Sequence, residues 1–111
     1  MHVVLATVTC PTAGTARTIA RAAVDRQLAA AAHVQAVASV YRWHDEVVEA
    51  DEHTVTFRTV GDNIDGLRAI VAELHPYELA EFVAVPVEYA PDDYRRWVET
   101  NGTWPSPAPD D

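Results

Sequence analysis

The chain contains no lysine: all 8 of its basic residues are arginine, set against 17 acids, for a formal net charge of −9. Schiff-base chemistry and a phosphate-loop lysine are thereby excluded. The acidic balance also argues against DNA or RNA as a partner, because phosphate binding needs a basic stripe. It tilts the chemistry towards cations. A single cysteine, Cys10, rules out an internal disulfide. With 4 glycines there is no phosphate-cradling loop, and Gly-x-Ser-x-Gly, His-Glu-x-x-His and Cys-x-x-Cys are all missing. No constellation of catalytic residues stands out, so the reading is of a binding protein and not an enzyme. No stretch approaches the ~18 apolar residues of a membrane helix. The first residues carry no basic region ahead of their short apolar run, so they read as a strand and not a secretory signal, with the cytoplasm as default.

What is present is enough for one core: 111 residues, 49% of them hydrophobic. Residues 2–9 alternate as a strand rich in β-branched side chains. After a Pro/Gly break, Thr15 is the expected N-cap of a helix over 16–30, with Ile19, Ala23 and Leu28 on its apolar stripe. Residues 32–43 and 47–59 read as two long strands around the polar turn His44-Asp45-Glu46. Each is about twice the usual ~5–6 residues, so the hairpin must overhang. Tyr41 and Trp43, with Val55 and Phe57 on the return strand, are expected on its projecting part, where a second copy of the chain could cover them.

Asp62 is the expected N-cap of a second helix ending near Leu74. Residues 82–89 read as a strand that Pro86 confines to an edge. A last helix over 92–100 turns Tyr94, Trp97 and Val98 inward, and the acidic, Pro-rich tail over 101–111 is expected to be disordered. The order β-α-β-β-α-β plus a C-terminal helix predicts an α+β, ferredoxin-like domain over 1–100.

The segment Glu73-Leu74-His75-Pro76-Tyr77-Glu78-Leu79-Ala80-Glu81 concentrates the chemistry. Pro76 pushes His75 out of the α region, ends the helix and holds the imidazole on a stiff loop. His75 and Glu81 could converge there on a cation. The structural alternative is a histidine favoured by the helix macrodipole and a solvated carboxylate.

Taken together, Tyr41-Arg42-Trp43, Glu49-Ala50-Asp51-Glu52, Phe57-Arg58-Thr59, His75-Pro76-Tyr77-Glu78, Ala84-Val85-Pro86-Val87 and Tyr94-Arg95-Arg96-Trp97 resemble the CutA family of divalent-cation tolerance proteins. The resemblance is collinear from about Val3 to Val98. It implies a ferredoxin-like homotrimer built through long hairpins, binding divalent metals, copper above all and zinc as a second choice. His75 and Glu81 match the family's proposed metal ligands; Trp43, Arg58 and Tyr77 match its inter-subunit cleft. Cys10 falls two residues from the cysteine that some members use for metal, and Pro11 bears on whether the strand reaches it. The family's Leu-Ala-Ala-Cys block is Leu28-Ala29-Ala30-Ala31 here, and alanine stands at 80 where proline is usual. A third ligand for His75 and Glu81 could come from Cys10, His33 or His53. The rival expectation is a sensor like the PII signalling proteins, with Arg58 gripping an anion or nucleotide between walls of Trp43 and Tyr77.

Overall fold

The structure, a computed structural model, describes residues 2–102; the remainder of the Pro-rich tail lies outside the described residues. Strand β1 spans Val3–Cys10, helix α1 Ala13–Asp25, β2 Ala31–Trp43 and β3 Glu46–Val60. A 3₁₀ turn over Gly61–Asn63 leads into α2 at Ile64–Leu74, followed by β4 at Phe82–Pro86 and α3 at Asp92–Glu99. The sheet order is β2-β3-β1-β4, antiparallel throughout, which is the ferredoxin-like arrangement.

Strand alternation divides the apolar residues between two faces. Ala6, Val8 and Cys10 of β1 and Val55 and Phe57 of β3 meet Ile19 and Ala23 of α1 and Leu67, Ile70 and Val71 of α2. The opposite face is covered only at one end, where Val3 and Val60 pack with Ala30 and Val98 of α3. Val55 and Phe57 are therefore not on the projecting ribbon. Both are fully buried at the centre of the sheet, opposite Val8 and Ala6. Tyr94 is likewise exposed at 40%, while Val98 holds α3 down.

Local chemistry moved several boundaries. Thr12, not Thr15, caps α1: its backbone is extended and its Oγ1 accepts from the Thr15 N–H at 3.1 Å. The helix stops five residues before the expected end, because Gln27 adopts φ 60° and closes a Schellman motif. Its N–H donates to the Val24 carbonyl and the Leu28 N–H to that of Ala23. Asp62 does not cap α2; it sits inside the 3₁₀ turn, and Asn63 takes the cap position without a side-chain capping bond, its amide donating instead to Thr59 Oγ1 and Asn101 Oδ1. The expected last strand ends at Pro86, on the edge strand β4. The fold runs on through Asn101 and Gly102, whose positive φ angles terminate α3.

The hairpin turns in two residues, His44 and Asp45, both left-handed at φ 51° and 67°, as a type I′ turn requires. Strand β1 accompanies β3 only as far as Cys10↔His53. The seven rungs from Val37↔Glu52 to Trp43↔Glu46 project beyond it as a two-stranded ribbon, about 24 Å at the usual rise per residue. Val40 and Val47 are exposed on one ribbon face; Tyr41 and Trp43 occupy the other.

Because Gln27 bears a steric cost at positive φ that glycine avoids, Gln27→Gly is expected to stabilise the fold by about 1 kcal/mol in urea unfolding. Unchanged or lower stability would show that α1 does not end in this motif.

Candidate functional site

Helix α2 ends where Pro76 dictates. His75 is its C-cap, with φ −87° and ψ 133°, and its N–H still donates to the Val71 carbonyl at 2.9 Å. That extended backbone turns the imidazole back towards the end of β1. The β1–β4 ladder stops at Val8↔Phe82, and the next carbonyl along β1, that of Thr9, is taken by His75 Nε2 at 2.7 Å. His75 Nδ1 accepts from the Tyr77 N–H at 3.1 Å. With Nδ1 an acceptor, the ring proton sits on Nε2 and donates to Thr9. His75 is only 9% exposed, and the Tyr77 ring meets its imidazole edge-on at 5.0 Å.

The chain of contacts continues. Tyr77 Oη donates to Glu52 Oε2 at 3.1 Å, and Glu52, at 4% exposure, is the most deeply buried charged side chain among the described residues. Burial first, then the bond and the negative charge of Glu52, push the Tyr77 hydroxyl pKa above its ordinary 10.0. At the far end of the loop, Glu81 Oε1 accepts from Thr9 Oγ1 at 3.1 Å. The loop from His75 to Glu81 is thus tied at both ends to one residue, Thr9. Curling over the base of the ribbon, it closes a groove of about 520 Å³ lined by Thr9, Tyr41, Trp43 and Glu52 and by Pro76, Tyr77, Glu78, Leu79 and Glu81 of the loop.

Of the residues singled out from sequence, Trp43, Tyr77 and Glu81 line this one groove, with His75 bracing it from behind. Arg58 does not join them: six residues from Glu52 along β3, roughly 20 Å at the strand rise, its guanidinium bonds the Thr56 carbonyl at 3.3 Å. Strand β1 does reach Cys10, but the thiol points into the helix-covered core and is fully buried. Burial, then the charge of Glu52, raise its pKa from 9.0 to about 11. His33 pairs with Thr56 and His53 with Cys10 in the ladders, and His53 Nδ1 is buried without a partner. Among the described residues no three His, Cys, Asp or Glu side chains gather as a metal-binding group. Sequence reasoning gives no role to Thr9 in the site, and it reaches Tyr41 and Glu52 only as members of the family motif blocks, with no individual role. The i, i+2 spacing of Tyr41 and Trp43 carries a signal; an acid amid strand residues at 52 carries a weaker one.

The fold and the braced loop define an α+β protein of the ferredoxin-like class with a groove that runs along its hairpin from Glu52 towards Trp43. Residues 4–101 match the family described as CutA1 divalent ion tolerance protein, and the chain belongs to that family. It is 40% identical over 95 residues to the divalent-cation tolerance protein CutA of Thermus thermophilus, covering 85% of this chain and 92% of that one. Protein CutA of Bos taurus is 38% identical over 91 residues, which is 82% of this chain but 52% of that protein. The chain thus spans about half the length of the mammalian relatives it matches. Among solved structures, the divalent cation tolerance protein Cut A1 from Thermus thermophilus superposes with a TM-score of 0.86 at 34% identity, covering 91% of this chain and 99% of that one. The apo form of a protein described as PII-like CutA, from Nostoc, superposes at 0.83 with 29% identity, covering 91% and 98%.

Two outcomes are expected from this geometry. Removing the imidazole in His75→Ala leaves the Thr9 carbonyl and Tyr77 N–H unpaired and should cost roughly 2–3 kcal/mol in urea unfolding, whereas His75 as a free surface residue would cost almost nothing. Cys10 should resist alkylation at pH 8 until the protein is unfolded. Because its folded pKa is raised, the stability it contributes is complete below pH 9 and is lost as pH rises towards about 11. Cys10→Ala should flatten that loss in unfolding curves measured from about pH 8 to about pH 11.

Proposed function

We propose that this chain is a homotrimeric, non-catalytic cytoplasmic protein of divalent-cation tolerance, binding copper foremost and zinc next. The observation that supports the reading is the match of residues 4–101 to the CutA1 divalent ion tolerance family, with the Glu81 carboxylate on the groove. The residues of one chain do not by themselves fit a resident metal. Both ring nitrogens of His75 hold hydrogen bonds, and the Cys10 thiol is protonated and faces the core. Glu81 is the one of the three with a carboxylate on the groove. The remaining donors therefore come from a neighbouring subunit, and assembly is part of the site.

Assembly has its own support. The sheet ends in two unlike open edges, β2 and β4, and the ribbon extends the first of them. Val83 and Val85 on β4 are more than half exposed, as is Val40 on the ribbon. Unlike edges that seek each other make a heterologous contact, which closes into a ring when the rotation allows. The anion sensor is less well supported: no lining residue of the groove is basic.

Sedimentation should give a three-chain mass at all working concentrations, and a monomer would contradict the assembly. Metal-stripped protein titrated with Cu(II) should take up metal stoichiometrically by elemental analysis, and Glu81→Gln should lose it without losing the trimer. No uptake, or equal uptake by the variant, would overturn the metal reading. A thermal shift with ATP that vanishes in Arg58→Ala would favour the anion sensor instead.

A further inference from the structure

We propose that Asn101-Gly102 is a deamidation site gated by the docking of α3. The docked helix holds the asparagine inert, and undocking exposes it to a modification that keeps the helix from returning. An asparagine followed by glycine deamidates readily in a free chain, because no side chain shields the attacking backbone nitrogen. The chain has one other asparagine, Asn63, and the β-branched Ile64 after it does shield that nitrogen. The fold itself asks for glycine at 102. Gly102 takes φ 84°, and a Cβ there would meet the Ala30 carbonyl oxygen at 3.4 Å. A labile pair is thus imposed by the way α3 ends. It sits at the pole away from the ribbon: Asn63, which ties it down, also bonds Thr59, two rungs from the ladder's last pair, Val3↔Val60, by way of Val4↔Thr59. The bonds that hold it are all made within one chain.

Deamidation joins the Gly102 backbone nitrogen to Asn101 Cγ. The nitrogen's electron pair forms the new bond as the Cγ–Nδ2 bond breaks, and its proton passes through water to the departing amide nitrogen, which leaves as ammonia. Water then opens the succinimide ring at either carbonyl, giving aspartate or isoaspartate at the position. Water is the co-reactant, and nothing is oxidised or reduced. In the docked state both reacting groups are committed elsewhere. The Gly102 N–H donates to the Trp97 carbonyl at 2.8 Å, and Asn101 Oδ1 accepts from Asn63 Nδ2 at 2.9 Å. The Asn101 N–H donates to the Val98 carbonyl at 2.9 Å, which pins the residue in its left-handed turn at φ 55°. Reaction requires these bonds to open, which is local unfolding at the end of α3. Isoaspartate adds a methylene to the main chain between the two N–H donors, so they can no longer reach the Val98 and Trp97 carbonyls together. Val98, which packs with Val3, Ala30 and Val60, loses the anchor beyond it.

The test follows the peptide that carries position 101 by mass spectrometry while the intact protein is incubated at mildly alkaline pH, beside a sample kept unfolded in guanidinium chloride. The unfolded sample should deamidate at Asn101 and not at Asn63, and the folded protein about tenfold more slowly or slower still. Asn63→Ala removes the tie on Asn101 Oδ1, and Val98→Ala loosens α3 without touching the bonds of the turn. Each should speed the folded rate about fivefold, with circular dichroism and sedimentation like the parent's; should one variant fail to fold, the other decides. In the deamidated fraction, separated by its added negative charge, hydrogen exchange over residues 92–99 should be faster than in the parent. Equal rates in the folded and unfolded samples, or an unchanged rate in a folded variant, would overturn the gating. No deamidation in the unfolded sample would overturn the site, and full protection of α3 after deamidation would overturn its lasting release.

Discussion

A single backbone carbonyl, that of Thr9, organises the functional end of this molecule. It lies one residue past the last β1–β4 rung, where the sheet no longer supplies a donor on that side. A buried carbonyl without a partner is costly, and His75 supplies the proton. It can do so because Pro76 denies the preceding residue helical geometry and leaves it extended at ψ 133°. The same ring then accepts from the Tyr77 N–H, so one imidazole both ends a helix and starts the loop that follows. A sheet, a helix end and an acidic loop are joined through one side chain.

The groove is a consequence of that joint. With the loop tied to Thr9 at both ends, Tyr77 is carried over the root of the ribbon and its hydroxyl reaches Glu52. The type I′ turn at His44-Asp45 fixes the ribbon's register, and register decides that Tyr41 and Trp43 share the face that also bears Glu52. Slipping by one residue would send both rings to the other side. The result within one chain is a groove lined by the rings of Tyr41, Trp43 and Tyr77 and by the carboxylates of Glu52, Glu78 and Glu81.

Much of this was legible in the sequence because local rules and tertiary packing agree. The strand–helix order, the overlong hairpin and the helix stop at Leu74 follow from period, length and one proline, and Pro86 does stand on an edge strand. Where a second local signal competes, the reading fails. Thr12 and Thr15 are both good caps, and only the backbone shows which is extended. Gln27 gives no hint of a left-handed conformation, so nothing in the sequence marks the early end of α1. Val55 and Phe57 look like ribbon residues because length alone does not say where β1 stops accompanying the hairpin. Proximity in the site is the least legible of all. Arg58 and Trp43 look alike as motif residues, yet only Trp43 lines the groove, whereas Thr9 carries no motif signal and Glu52 only its place in an acidic block, and both line it.

The chain belongs to the family described as CutA1 divalent ion tolerance protein, and the geometry gives His75 a bracing role at the end of β1. Heteronuclear NMR of the imidazole nitrogens tests that most directly. The account predicts Nε2 carrying a slowly exchanging proton, with Nδ1 a bare acceptor. A ring protonated on Nδ1, or one whose proton exchanges freely with water, would contradict it.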